Sequence, residues 1–142
     1  MSHQVRVLFV CTGNSARSQM AEAFARHYGK GQLEASSAGI DPKGLHPLTV
    51  KVMSEKGIDV SYQASKALTD EILRKADCVV TVCGHADEQC PALPSHVRKL
   101  HWPIDDPAIL SGRAPEEVLA AFRQARDELE SRVRDLFSTL GR

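Results

Sequence analysis

The sequence lacks an excess of charge of either sign, with eighteen Lys and Arg against eighteen Asp and Glu in 142 residues. That balance gives no field for wrapping nucleic acid or holding an anionic membrane, so an anionic ligand has to be caught by a local site. Also missing is any apolar run near the roughly 18 to 20 residues of a membrane span. Met1 to Gln4 is polar with no signal-like apolar stretch behind it, so a cytoplasmic protein is expected. No internal repeat, low-complexity tract or linker divides the chain. What is present is 42% hydrophobic and 25% charged, which suits a single domain over residues 1–142. A chain of that length buries about two-thirds of its unfolded surface and needs no disulfide or metal staple. Its four cysteines, Cys11, Cys78, Cys83 and Cys90, then suggest catalysis, redox switching or metal binding rather than structural bridges.

Val5 to Val10 is an almost continuous β-branched and aromatic run, the pattern of a strand buried on both faces of a parallel sheet. From Ser18, Met20, Phe24 and Tyr28 recur at helical spacing until Gly29 and Gly31 stop them. Leu33 to Ser37 reads as a second strand, Leu48 to Lys56 as a helix opened by Pro47, and Thr69 as the N-cap of a short helix to Lys75. Cys78 to Val82 is another buried strand, Cys83 to Cys90 a polar excursion, and Val97 to Trp102 a weaker strand. Val118, Phe122, Ala125, Leu129, Val133, Leu136 and Leu140 make one apolar stripe on a long helix expected to cover a sheet face. Strands alternating with helices predict an α/β fold, a single doubly wound domain with a four-stranded parallel sheet flanked by helices. Ligands of such a fold bind beyond the carboxyl ends of the strands, where Cys11, Cys83 and Trp102 to Asp106 fall.

The first strand and helix are joined by Cys11-Thr12-Gly13-Asn14-Ser15-Ala16-Arg17-Ser18. Backbone N–H groups of so small a loop can converge on a tetrahedral anion, and the helix N-terminus adds favourable potential. Arg17 can grip two oxygens in its planar fork. The same surroundings favour a thiolate at Cys11, with the Ser18 hydroxyl donating to the sulfur and the Asn14 amide pinning the loop. No Gly-Lys-Ser/Thr follows, so this is not a nucleotide-binding Walker loop. A thiolate attacking an oxyanion needs its leaving oxygen protonated, and Asp105-Asp106-Pro107 supplies carboxyl groups at the matching end of the sheet. Cys83, His85, Cys90 and His96 are an alternative zinc set, but Cys-x6-Cys exceeds the usual knuckle spacing and no metal is assigned. Cys78, inside an apolar strand, reads as buried and inert, and His3, His27, His46 and His101 as structural or solvated.

Over its whole length the chain resembles the low-molecular-weight protein tyrosine phosphatase superfamily, and within it the thioredoxin-coupled arsenate reductases. The marks are the Cys11–Glu22 segment, Ser37-Ala-Gly39, Val-Thr81-Val-Cys83 with Cys90-Pro91, and His101-Trp102-Pro-Ile-Asp-Asp106-Pro107-Ala108. The resemblance implies Cys11 as nucleophile, Arg17 as oxyanion clamp, Asp106 rather than Asp105 as general acid, and Thr12 to Ser18 as the binding loop. Cys83 and Cys90 would complete a redox relay. It implies arsenate as substrate, with phosphate or sulfate competing, thioredoxin as electron donor, no cofactor, and a monomer. On that mechanism Cys11 attacks arsenate, Cys83 attacks Cys11 as arsenite leaves, and Cys90 attacks Cys83 to leave a disulfide for thioredoxin.

Three further points attach to the resemblance. Phosphatases of the superfamily typically follow the Asp-Pro with tyrosines that sandwich an aryl substrate, and here Ala108 and Ile109 stand instead; aryl phosphate hydrolysis is the alternative activity. Some relatives hold potassium behind the loop through groups matching Asn14, Glu22 and Ser37 plus an acid. Lys66 occupies the acid's position, and its ammonium is expected to pair with Glu22 in the ion's place. Finally, if Gly84 to Gln89 is helical, Cys83 and Cys90 stand on the order of 10 Å apart. A disulfide spans less than about 7 Å between Cα atoms, so the segment then has to unwind.

Overall fold

The computed structural model describes residues 4–90, 93–107 and 112–140. The expectations at His3, Pro91, Ala108 and Ile109, and those on the side chains of His85 and Leu140, lie outside the described residues and atoms. Strands β1 (Val5–Cys11), β2 (Leu33–Gly39), β3 (Cys78–Thr81) and β4 (Arg98–His101) form one parallel sheet in the order β2-β1-β3-β4. The two central strands are buried along β3 entirely and along β1 from Val7 onward, which is why they are written as unbroken apolar runs. At the edge, β4 exposes Arg98, Lys99 and His101, so its apolar signal is faint and its open side is guarded by charge.

From β1 the chain moves outward to β2, then reverses past β1 to β3 and β4. Right-handed crossovers therefore send α1 (Arg17–Tyr28) to one face and α3 (Asp70–Lys75) and α4 (Gly84–Gln89) to the other. The reversal opens a crevice outside the carboxyl ends of β1 and β3, the strands that end at Cys11 and Thr81. Thr69 caps α3 as expected, its Oγ1 accepting from Ile72 N at 3.1 Å. The expected polar excursion after β3 is instead a turn-and-a-half of helix, with Cys83 as its N-cap.

Helix α5 (Pro115–Leu140) spans 26 residues, about 39 Å at 1.5 Å per residue. Its stripe from Val118 to Leu136 is buried, but it packs along α1 and against α2 (Pro47–Ser54) more than on the sheet itself. Full burial of Phe122 alone is worth about 1.5–3 kcal/mol. Polar clamps fix the register of these helices. Arg126 donates to Val52 O at 3.1 Å and to Glu55 at 2.7 Å, while Arg123 makes two further bonds to Glu55. Those hydrogen bonds, that from Arg123 first, hold the Glu55 carboxyl down at about 2. Across the other side, the Tyr28 hydroxyl and the Lys56 ammonium share Glu130 of α5.

Candidate active site

The loop after β1 is held from outside. Its carbonyls at Cys11, Thr12, Gly13 and Ser15 accept from the backbone N–H groups of Ile40, Asp41, Lys43 and His46 at 2.8–3.1 Å. Asn14 O accepts from Gln19 Nε2 at 2.9 Å, Ser65 Oγ adds a bond to Gly13 O, and Thr49 Oγ1 adds one to Ser15 O. A peptide unit points its C=O and the following N–H in opposite directions. With the carbonyls bonded outward, the N–H groups from Thr12 to Ala16 turn inward, and Asn14 N already donates to Cys11 Sγ at 3.1 Å. Asn14 adopts the left-handed conformation, φ 47°, that this turn needs.

The Asn14 side chain spans the loop. Its Nδ2 donates to Ser18 Oγ at 2.8 Å, and its Oδ1 accepts from Lys66 N at 2.9 Å. Ser18 Oγ, accepting from Asn14, keeps its own proton for Cys11 Sγ, 2.8 Å away. The buried Cys11 sulfur thus lies within hydrogen-bonding distance of both Asn14 N and the Ser18 hydroxyl. Behind it α1 begins at Arg17 with Ala16 as N-cap and no side-chain capping bond, so its first N–H groups remain available to an anion.

Arg17 is 8% exposed, and its Nη1 donates to Ile104 O at 2.9 Å. Its Nη2 lies 3.6 Å from Asp106 Oδ2. The segment after β4 therefore carries Asp106 over the loop and orients the guanidinium in one stroke. Together Cys11 to Gly13, Ser15 to Arg17 and Asp106 line a cleft of about 410 Å³. Its remaining wall, Lys43 to Pro47, is not legible in the sequence as part of a site. His46 belongs to it: Nδ1 accepts from Leu48 N at 3.0 Å as the cap of α2, and the ring packs 4.7 Å from Phe122. Burial pushes the His46 imidazole below its ordinary 6.5, with the Asp106 charge opposing.

Cys83 lies at the same carboxyl end of the sheet as Cys11. Its buried Sγ is 3.2 Å from Thr12 Oγ1 and accepts from Ala86 N at 3.3 Å as the cap of α4. Cys90 is partly exposed beyond the far end of that helix. Cys78 lies inside β3, and burial pushes its thiol up to about 11.

One expectation fails. Glu22, 2% exposed, accepts from Ser37 Oγ at 2.6 Å and pairs with Arg26 Nη2 at 2.6 Å rather than with Lys66. Arg26 is one helical turn further along α1 and faces Glu22 directly, whereas Lys66 reaches the loop through its main chain.

A family model for low molecular weight phosphotyrosine protein phosphatase matches residues 6–142. The chain belongs to that family. Within the phosphatase family it is 47% identical to an arsenate reductase of Halalkalibacterium halodurans over 133 residues, 94% of this chain and 95% of that protein. A solved arsenate reductase in a phosphate-binding state aligns with TM-score 0.78 and 32% identity, covering 96% of this chain and 99% of the other. A thioredoxin-dependent arsenate reductase of Corynebacterium glutamicum also aligns, with TM-score 0.78 and 33% identity over 98% of this chain and 63% of that one.

Proposed function

We propose that this phosphatase-family protein reduces arsenate to arsenite. Phosphate ester hydrolysis needs one thiol, whereas two-electron reduction needs a second within reach, and the Cys83 sulfur 3.2 Å from the Thr12 hydroxyl, beside Cys11, carries the reading. Cys11 attacks arsenic from within the ring of N–H groups. Arg17 holds two equatorial oxygens, and Asp106 gives its proton to the departing oxygen, which leaves as water. Cys83 then attacks the Cys11 sulfur, the sulfur–arsenic pair of electrons goes to arsenic, and arsenite leaves a Cys11–Cys83 disulfide.

Cys90 attacks Cys83, frees Cys11, and leaves Cys83–Cys90 to be reduced by thioredoxin. With α4 intact the two ends of that bond are on the order of 10 Å apart. Forming it therefore unwinds the helix and carries Cys83 outward. The protein acts without a bound cofactor, as a cytoplasmic monomer.

A second reading, aryl phosphate hydrolysis, draws on the loop, Arg17 and Asp106 alone. One assay separates the two: arsenate-dependent NADPH oxidation in the presence of thioredoxin and its reductase, run beside an aryl phosphate. Cys83→Ser and Cys90→Ser are each expected to abolish the first and leave the second within about threefold, since the N–H groups of the seat belong to the loop's own backbone and Cys83 meets the loop only at the Thr12 hydroxyl. Loss of both activities together, or retention of both, defeats the relay.

A further inference from the structure

The loop's shape depends on a residue outside it. Gly39 ends β2 and pairs in register with Cys11, with its N–H given to Lys66 O at 2.8 Å and its carbonyl accepting from Leu68 N at 2.9 Å. That bonding fixes where its Cα stands. A Cβ placed there would meet Asn14 Cβ at 2.8 Å, Thr12 O at 2.8 Å and Asn14 N at 2.9 Å. Ordinary contact begins at 3.4 Å, so the backbone of Thr12 and Asn14 would have to retreat by about half an ångström. The Gly39 backbone is not in the left-handed region, so the missing side chain, not the dihedral freedom of glycine, is what the position requires.

The atoms a Cβ would press on are those that shape the oxyanion seat. Asn14 N donates to Cys11 Sγ, Asn14 Nδ2 donates to the Ser18 Oγ that lies 2.8 Å from the same sulfur, and Thr12 O accepts from Asp41 N on the outer side of the loop. We propose that Gly39 is a positioning residue for the nucleophile, its bare Cα being what lets Asn14 close onto the Cys11 sulfur. It touches neither sulfur nor substrate and acts through Asn14. Because the loop serves arsenate and phosphate esters alike, the inference holds under either reading of the activity. It can fail while arsenate reduction stands, and it can stand should only aryl phosphate be turned over.

The test is Gly39→Ala, read at three points. Iodoacetamide alkylation of Cys11, followed in a Cys83→Ser/Cys90→Ser background, is expected to slow far more at about pH 6.5 than at about pH 9, because the hydrogen-bond partners of the sulfur have moved. Protection of Cys11 by inorganic phosphate should need at least about tenfold more phosphate, and kcat/KM for an aryl phosphate should fall at least about tenfold, a misplacement of about 1 Å costing about 10²-fold. A folded Gly39→Ala protein with the parent's alkylation profile and phosphate protection overturns the proposal. A uniform loss at both pH values, which general loosening would give, overturns it equally. Should Gly39→Ala fail to fold, Asn14→Gly is added: it deletes the facing Cβ and frees the loop backbone, and recovery of a folded protein is expected. No recovery would show that Asn14 is not what Gly39 accommodates.

Discussion

His46 is the residue whose role the sequence conceals most fully. A histidine is an uncommon cap, yet here Nδ1 accepts from Leu48 N, the backbone N–H holds Ser15 O, and the ring rests on Phe122. The bond to Ser15 O ties the cleft wall to the loop, and the bond from Leu48 N ties it to α2. Capping by Nδ1 requires an unprotonated nitrogen, and burial lowers the affinity of the folded protein for that proton. The unfolded chain therefore binds the proton more readily near 6.5. This contribution to stability is complete above that pH and is lost as pH falls through and below it. Urea midpoints measured from about pH 8 to about pH 5 should decline through this window in the parent protein and not in His46→Asn, which keeps a capping acceptor without titrating. His46→Ala should cost about 1 kcal/mol at the upper end of the range.

At the scale of the element, α4 is the part that the proposed relay would have to change. It is a six-residue helix, too short to be stable by its own propensity, and it rests on the cap that the Cys83 sulfur gives Ala86 N. Converting that sulfur to a disulfide weakens the cap at the same moment as the geometry of the bond demands unwinding. Amide exchange over residues 83–90 is expected to quicken by at least about tenfold on oxidation while β1 and β3 keep their protection. Equal exchange in the two redox states would count against the relay. Helix α5 is the opposite case, tied to α2 through Glu55 and to α1 through Glu130 along its middle turns.

For the molecule as a whole, one core connects the sheet, α1 and α5, so residues 1–142 should unfold as a unit. Fluorescence of the single tryptophan, Trp102 at the end of β4, and far-UV dichroism of the helices are expected to give coincident urea transitions. Separate midpoints would divide the domain. The sheet and the Cys11 loop were legible because continuous apolar strands and a small-residue turn write themselves into local sequence. Contacts that depend on reach were not. The resemblance sets Lys66 beside Glu22, although Arg26, four residues on, is the nearer cation by simple helical geometry. The α4 helix was hidden because its cap is a sulfur and its body is polar, and the Lys43–Pro47 wall because it owes its place to α2 and Phe122 rather than to a motif of its own.

The outward bonds of the loop carry one last consequence. With a donor already on every carbonyl from Cys11 to Ser15, the ring can neither widen nor narrow for a guest without breaking contacts on its outer rim. Acting as the proposed oxyanion seat, it would sort ions by shape and charge and be nearly blind to the element at their centre. Under the proposed mechanism, any preference for arsenic over phosphorus would then be exercised after capture, by what the sulfur could do with the atom it bonds.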